Sequence, residues 1–193
     1  MVSLRPFRLR SYIDNRKKEK MNHFINALEI SLNTQNWYSV LFISLTLPDI
    51  CGKIDEPNET SKKRTINWFN KYLKPIYTSN IGADHREHIF LSGSDFYALR
   101  CAYLHEGSDD ITSQCAQEIL EKFKFIQPIT NSFRIHRNQT SATLQLQVDE
   151  FGKEVLDALR KWTVDMSSDP EKVRKIDNLL KIEMIDPSKG FSF

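Results

Sequence analysis

The stretch WYSVLFISLTLPDI at residues 37–50 decides the fold. Almost every position in it is apolar, and in a helical protein such a run is typical of a central helix that other elements cover on all sides. Pro48 is expected to kink or end this helix, because proline lacks a backbone N–H and clashes with the preceding turn. The run stops well short of the roughly 20 residues that cross a bilayer. It therefore predicts a core helix and no membrane contact.

Further helices are predicted on both sides of this stretch. Ser92, with Asp95 three residues later, is a capping-box pattern that opens one helix, and Gly107 should end it. Asp169 and Pro170 open a last helix. Apolar residues also recur at helical spacing in three segments: 21–32, 66–76 and 151–162.

The periodicity changes from helical to alternating between about residues 120 and 148. Phe123 and Phe125, then Phe133 and Ile135, and then the run 142–148 place apolar residues at every second position. This pattern predicts a small antiparallel β-hairpin or three-stranded sheet, inserted before the penultimate helix. The fold class is therefore mainly α, a bundle of about five to six helices with a small β insertion.

The chain divides into three parts on this interpretation. Residues 1–20 form a basic N-terminal extension, residues 21–165 the helical domain with its β insertion, and residues 166–193 a C-terminal helix and tail. The core-facing pattern begins only at Met21, so Met21 is a second candidate for the true start. The basic extension is either a solvated run or an arm for nucleic acid.

Composition narrows the class of protein. The 193 residues carry a formal net charge of +2, which is too small for the whole surface to attract nucleic acid. The three cysteines form no CxxC pair, which indicates a reducing compartment, and we expect a cytoplasmic protein. No Gly-rich phosphate loop or nucleophile elbow is visible, and no cofactor or metal is expected.

The segment from Leu99 to Gly107 is where the sequence suggests chemistry. Arg100 lies on or beside an apolar helix face and needs a partner, while His105 falls in the last turn before Gly107. An imidazole that can titrate near neutrality beside a fixed cation suits work on a phosphodiester. The ring moves a proton and the guanidinium binds phosphate oxygens.

This segment, with its Arg-x4-His spacing, resembles the R-x4-6-H signature of the HEPN superfamily. The resemblance implies a helical bundle that dimerises and acts as a metal-independent endoribonuclease of toxin–antitoxin or phage-defence systems. Arg100 and His105 would take the two catalytic positions, facing those of a second copy across the dimer interface. RNA would be cut by attack of its own 2′-hydroxyl, and an antitoxin or a nucleotidyltransferase is a further expected partner.

Four residues are candidates for supporting roles. Cys101 follows Arg100, where the family often has Asn, Asp or His, and this departure puts efficient catalysis in doubt. Tyr103 and Glu106 flank His105 and are candidates to orient it, although Tyr103 also fits the core stripe. Asp49 either pairs with Arg100 or bonds backbone amides near Pro48.

Other interpretations remain open at this stage. Arg100 and His105 would be purely structural if the arginine pairs with a carboxylate and the histidine caps the helix. The Asp84–His88 run offers two imidazoles and two carboxylates, either as a metal clip or as a solvated turn. The alternative function is a catalytically silent HEPN-like module that binds a partner protein or a nucleotide.

Overall fold

The computed structural model describes residues 21–129 and 133–182, which form a mainly helical unit with two small sheets. The predicted fold class is confirmed. The predictions for the basic extension at residues 1–20 and for the tail beyond residue 182 lie outside the described residues. The prediction that Met21 is a second candidate for the true start is not tested. Within the described ranges the α-helices are α1 (Asn22–Asn33), α2 (Trp37–Asp55), α3 (Ser61–Tyr72), α4 (Gly93–Cys101), α5 (Val148–Met166) and α6 (Pro170–Asp177).

Helix α2 is the centre of the bundle and packs against α1, α3 and α5. It continues through Pro48 to Asp55, so of the two predicted effects, a kink or an end, Pro48 does not end the helix. Proline removes one backbone hydrogen bond, but Leu47, Cys51 and Ile54 on either side of it are buried and hold the following turns in place.

One face of α2 is open, contrary to the prediction that it is covered on all sides. Tyr38 is 75% exposed and Phe42 is 48% exposed. The opposite face packs closely on α5, where a Cβ at Gly152 would lie 2.5 Å from the Val40 side chain. The absence of a side chain at Gly152 therefore sets how near the two helices approach.

The predicted start of α4 is confirmed, although its cap differs from a capping box. The Ser92 hydroxyl accepts a hydrogen bond from the Asp95 amide at 3.0 Å. The Asp95 carboxylate does not reach back to Ser92. It is buried and accepts backbone N–H bonds from Glu118, Ile119 and Leu120, so it fixes the loop that follows the helix.

The last helix begins where the sequence predicts it. The Asp169 carboxylate accepts bonds from the amides of Glu171 and Lys172, and Pro170 is the first helical residue. The helix buries Ile176 against the bundle and packs on α2. It ends at Asp177.

The β insertion is a three-stranded sheet with the order β3-β5-β4, in which β3 is Lys122–Ile126, β4 is Asn138–Thr140 and β5 is Thr143–Gln147. The pair β4–β5 is antiparallel as predicted, but β3 and β5 are parallel. A period of two specifies which side chains share a face and says nothing about strand direction. The second of the three strands along the chain, β4, begins at Asn138 and not at Phe133.

A second sheet, absent from the sequence prediction, is the hairpin of β1 (Thr78–Ile81) and β2 (Arg86–Ile89). Its turn contains part of the Asp84–His88 run. Arg86 binds Asp84 at 3.0 Å, and the His88 ring bonds the Gln139 amide oxygen at 2.9 Å. Its strands are short and largely polar, which explains why no alternating apolar pattern marked them.

None of the helices within residues 21–129 and 133–182 has both the length and the apolar character needed to cross a bilayer. The prediction that residues 37–50 are too short to cross a bilayer agrees with this finding.

Candidate functional site

Arg100 occupies the end of α4 and points toward α2. Its Nη2 donates to Asp49 Oδ2 at 2.9 Å, and the Arg100 side chain is only 15% exposed. Asp49 follows Pro48 in α2. Of the two predicted roles for Asp49, the structure therefore has the one in which it pairs with Arg100. The guanidinium also lies 5.9 Å from the centre of the Tyr97 ring. Its Nε is buried without a partner among the described residues.

The same carboxylate holds a second arginine that sequence reasoning missed. Arg64 of α3 donates through Nε to Asp49 Oδ1 at 2.7 Å, and the Thr65 hydroxyl reaches this oxygen at 3.3 Å. Arg64 also donates to the Glu59 carbonyl at 3.3 Å. We call Arg64, Asp49 and Arg100 the arginine cluster. Two guanidiniums share one carboxylate, which leaves the cluster with one excess positive charge in a partly enclosed site.

A signal for Arg64 was present in the sequence. Arg64 precedes the buried Trp68 and Tyr72 by four and eight residues, so it lies on the inward stripe of α3. The adjacent Lys62 and Lys63 are exposed, and the three residues together look like a solvated basic run.

His105 follows Arg100 across a widened helical turn. Residues Ala102–Glu106 form a π-helix, which Gly107 ends with a positive φ of 65°. In an α-helix, residues five apart point roughly 140° away from each other. In a π-helix, hydrogen bonds join residues five apart, so this turn is wider than a regular one and the angle between His105 and Arg100 about the helix axis is smaller than roughly 140°. His105 is exposed at this end of the bundle.

Aromatic residues of α2 lie next to this turn. The rings of Phe42 and Tyr103 are 5.1 Å apart, and Tyr103 precedes His105 by two residues. Burial, and then the neighbouring Tyr38, raise the pKa of Tyr103 above its ordinary value. The Tyr103 hydroxyl is buried without a partner in the described part of the chain. Tyr103 therefore packs toward the open face of α2.

The other predicted supporting residues have separate partners. Glu106 accepts a hydrogen bond from the Gln114 amide at 2.9 Å and so contacts the loop after the π-helix. Cys101 is a half-buried free thiol. Burial, and then a hydrogen bond with Cys101, raise the pKa of Tyr97. The structure thus joins Asp49 to Arg100, while Tyr103, Glu106 and Cys101 each contact other groups.

A second polar cluster, which no sequence pattern indicated, lies where β4 and α5 meet the end of α3. Glu154 accepts a hydrogen bond from the Tyr77 hydroxyl at 2.5 Å and lies 3.0 Å from His136 Nε2. The His136 side chain is 1% exposed, and Tyr77 is fully buried. Glu154 also lies 3.9 Å from Arg137. We call Tyr77, Glu154 and His136 the glutamate cluster.

Within residues 21–129 and 133–182, no group of three or more His, Cys, Asp or Glu side chains is arranged to hold a metal ion. The three cysteines at positions 51, 101 and 115 are free.

Comparison of the chain with protein-family models, with curated proteins and with solved structures finds no significant match. What the site can do therefore rests on its own geometry. Two arginines bridged by one carboxylate, beside an exposed histidine on a widened turn, can bind an oxyanion and exchange a proton with it.

Proposed function

We propose that this chain is a HEPN-like, metal-independent endoribonuclease that acts in the cytoplasm within a toxin or phage-defence system. The observation that carries the proposal is the exposed His105 on a π-helical turn that directly follows the helix of Arg100. Such widened turns are rare and are often found at functional sites. The excess positive charge of the arginine cluster supports binding of a phosphate group.

The reaction needs three events at the scissile phosphate. The 2′-hydroxyl oxygen of the RNA bonds to the phosphorus, and the bond from phosphorus to the 5′-oxygen breaks. His105 takes the 2′-hydroxyl proton or delivers a proton to the departing 5′-oxygen. Arg100 binds the phosphate oxygens as their negative charge grows. The products are a 2′,3′-cyclic phosphate and a 5′-hydroxyl, and no oxidant or added nucleophile is consumed.

The open face of α2 is where we propose that a second copy docks. Tyr38 and Phe42 are large exposed aromatics beside Tyr103, so a partner covering them would bring two His105 segments together. Tyr38→Ala should then shift sedimentation toward the monomer. Val164→Ala, which removes an equally exposed apolar side chain from α5, should leave sedimentation unchanged. An unchanged sedimentation profile for Tyr38→Ala would contradict this interface.

The test of the activity is incubation of the purified chain with single-stranded and structured RNA in EDTA. We expect cleavage with cyclic phosphate ends, and we expect His105→Ala to slow it by about 10²–10⁴-fold, the usual contribution of a proton-transfer group. His23→Ala is the matched control, because His23 is also exposed and, seven residues after Arg16, satisfies the same R-x4-6-H spacing. Equal cleavage by both variants would refute the assignment of His105.

The second candidate is a catalytically silent module of the same shape that binds a partner protein or a nucleotide. The observation that favours it is the enclosure of Arg100 against Asp49, which is also how a purely structural ion pair would look. RNA that stays intact with the wild-type chain, in EDTA and with added divalent cations, is the outcome expected from this candidate. An antitoxin or nucleotidyltransferase partner is compatible with either function.

A further inference from the structure

The Asp49 carboxylate gives one of its oxygens to each of the two arginines. Oδ1 accepts from Arg64 Nε at 2.7 Å and from the Thr65 hydroxyl at 3.3 Å. Oδ2 accepts from Arg100 Nη2 at 2.9 Å. Arg64 is itself fixed by a second bond, which its Nη1 donates to the Glu59 carbonyl at 3.3 Å. Two donors from α3 therefore occupy Oδ1.

Arg100 is bound less completely than the shape of a guanidinium allows. The Nε–H bond and one Nη2–H bond of an arginine point in the same direction, and together they form a fork that matches both oxygens of a carboxylate. Arg100 uses Nη2 alone, and its Nε is buried without a partner in the part of the chain that the structure describes. An unpaired buried donor costs free energy. The oxygen that would complete the fork is Asp49 Oδ1, and Arg64 occupies it.

The remaining nitrogen of Arg100 has access to solvent. Nη1 has no hydrogen-bond partner among the described residues, and unlike Nε it is not fully enclosed. A carboxylate bound by both Nε and Nη2 would hold the guanidinium in one orientation and neutralise its charge. Without Arg64, the cluster would also lose its excess positive charge. Both changes would make Arg100 less available to an anion at Nη1.

We propose that Arg64 is a positioning residue, which restricts Asp49 to a single hydrogen bond with Arg100 and so keeps Arg100 available to an anion. The restriction is a property of these three side chains and does not depend on any activity. Its consequence for RNA rests on the proposed function, in which Arg100 binds the phosphate oxygens.

Two substitutions of Arg64 separate its hydrogen bond from its charge. Methionine and glutamine both place a side-chain atom where arginine has Nε. Arg64→Gln therefore keeps an N–H donor for Asp49 Oδ1 without the charge, whereas Arg64→Met keeps neither. Arg160→Met is the matched control, because Arg160 is exposed and binds its own carboxylates at the surface.

The readout is the Nε–H signal of Arg100 in a proton–nitrogen NMR spectrum, which Arg100→Lys identifies by removing it. In the wild type we expect this signal where an N–H group without a hydrogen bond appears. In Arg64→Met, Asp49 Oδ1 becomes free to accept from Nε, so the proton signal should move downfield. Arg64→Gln and Arg160→Met should leave it at the wild-type position.

Three results would overturn the proposal. The first is a wild-type Arg100 signal already at a hydrogen-bonded position, and this measurement needs no variant to fold. The second is a signal that does not move in Arg64→Met. The third is an equal movement in Arg64→Met and Arg64→Gln, because the charge of Arg64, and not its hydrogen bond, would then be responsible.

The consequence for activity has its own readout. If the wild-type chain cleaves RNA, Arg64→Met should lower kcat/KM by about tenfold or more, the effect of losing one hydrogen bond to a charged group. Arg64→Gln should lose less, and Arg160→Met should match the wild type. Equal losses in Arg64→Met and Arg64→Gln would overturn the link between this bond and phosphodiester binding. If no RNA is cleaved, the ribonuclease proposal fails, while the Arg100 signal still decides the role of Arg64.

Discussion

The arginine cluster and the glutamate cluster have the same arrangement of groups but differ in charge and in exposure to solvent. In each, a single carboxylate on a helix is shared by two side chains from other elements. Asp49 joins two permanent cations, whereas Glu154 joins a hydroxyl and an imidazole. An exposed histidine follows Arg100, whereas His136 is itself enclosed.

This difference teaches that a shared carboxylate does not by itself identify a functional site. The glutamate cluster has a histidine, a tyrosine and a carboxylate within hydrogen-bonding distance. By residue type alone, this set indicates a functional site more strongly than the arginine cluster does. It has no surface on which a substrate could meet His136, so its role is to join β4 and the end of α3 to α5. The arginine cluster has excess charge and a neighbour that solvent can reach.

The largest expected effect on stability comes from Asp49→Asn. The change leaves two guanidiniums without their anion in a partly enclosed site, and we expect the free energy of unfolding to fall by about 3 kcal/mol. Urea denaturation measures it. Asp157→Asn is the control, because Asp157 is exposed and its pair with Arg160 should contribute less than about 1 kcal/mol. A loss for Asp49→Asn no larger than the control would remove the distinction between this cluster and a surface pair.

The same chemical change at the other carboxylate, Glu154→Gln, should cost less. The amide oxygen still accepts from Tyr77, and no pair of cations is left unbalanced, so we expect a loss of about 1–2 kcal/mol. RNA cleavage should stay at the wild-type rate. A loss exceeding that of Asp49→Asn, or a change in cleavage, would break the comparison, and it would place function in the glutamate cluster.

The smallest expected effect is on the stability of the protein at alkaline pH, to which Tyr77 contributes. Burial, followed by the Glu154 charge, holds the pKa of Tyr77 well above its ordinary value of 10.0. Above that pH, Tyr77 ionises in the unfolded chain and not in the folded one, so the free energy of unfolding falls by at most about 1.4 kcal/mol per pH unit. Tyr77→Phe should make this fall shallower, and Tyr38→Phe should not.

The measurement compares denaturation curves of wild type, Tyr77→Phe and Tyr38→Phe at pH values below and above the ordinary pKa of tyrosine. An identical slope for Tyr77→Phe and wild type would mean that Tyr77 is less enclosed than its contacts with Glu154 indicate.

The sequence was most informative where the signal is local. The Ser92 cap, the Asp169–Pro170 start and the end at Gly107 each depend on a few neighbouring residues, and all three are confirmed. Helical periodicity located α1, α3 and α5 for the same reason. Local capping chemistry and side-chain period are properties that a short window of sequence contains.

The failures involve contacts between distant segments. Asp95 looks like half of a capping box, but its carboxylate binds amides more than twenty residues away. The direction of β3 against β5 depends on the path of the connection and not on the alternation of apolar residues. The open face of α2 has the same residue types as a buried face, because Tyr38 and Phe42 are as apolar as core residues.

The candidate site was predicted in part. Arg100, its need for a partner and the availability of Asp49 all came from spacing and residue type. Arg64 did not, because its role depends on which helix packs beside α2. The π-helix also left no local signal, since Ala102–Glu106 has the composition of an ordinary helical turn.

That turn changes what a spacing between two residues means. In a regular α-helix, the neighbour of Arg100 one turn along would be Leu104, and a histidine at position 105 would point elsewhere. One inserted residue that widens the helix gives two residues that flank the turn, five apart in sequence, the relative direction of residues four apart in a regular helix. Deleting one residue from the widened turn should therefore restore a regular helix and keep the residues before and after the turn on their present faces. A motif whose spacing varies along the sequence can thus keep a constant arrangement in space.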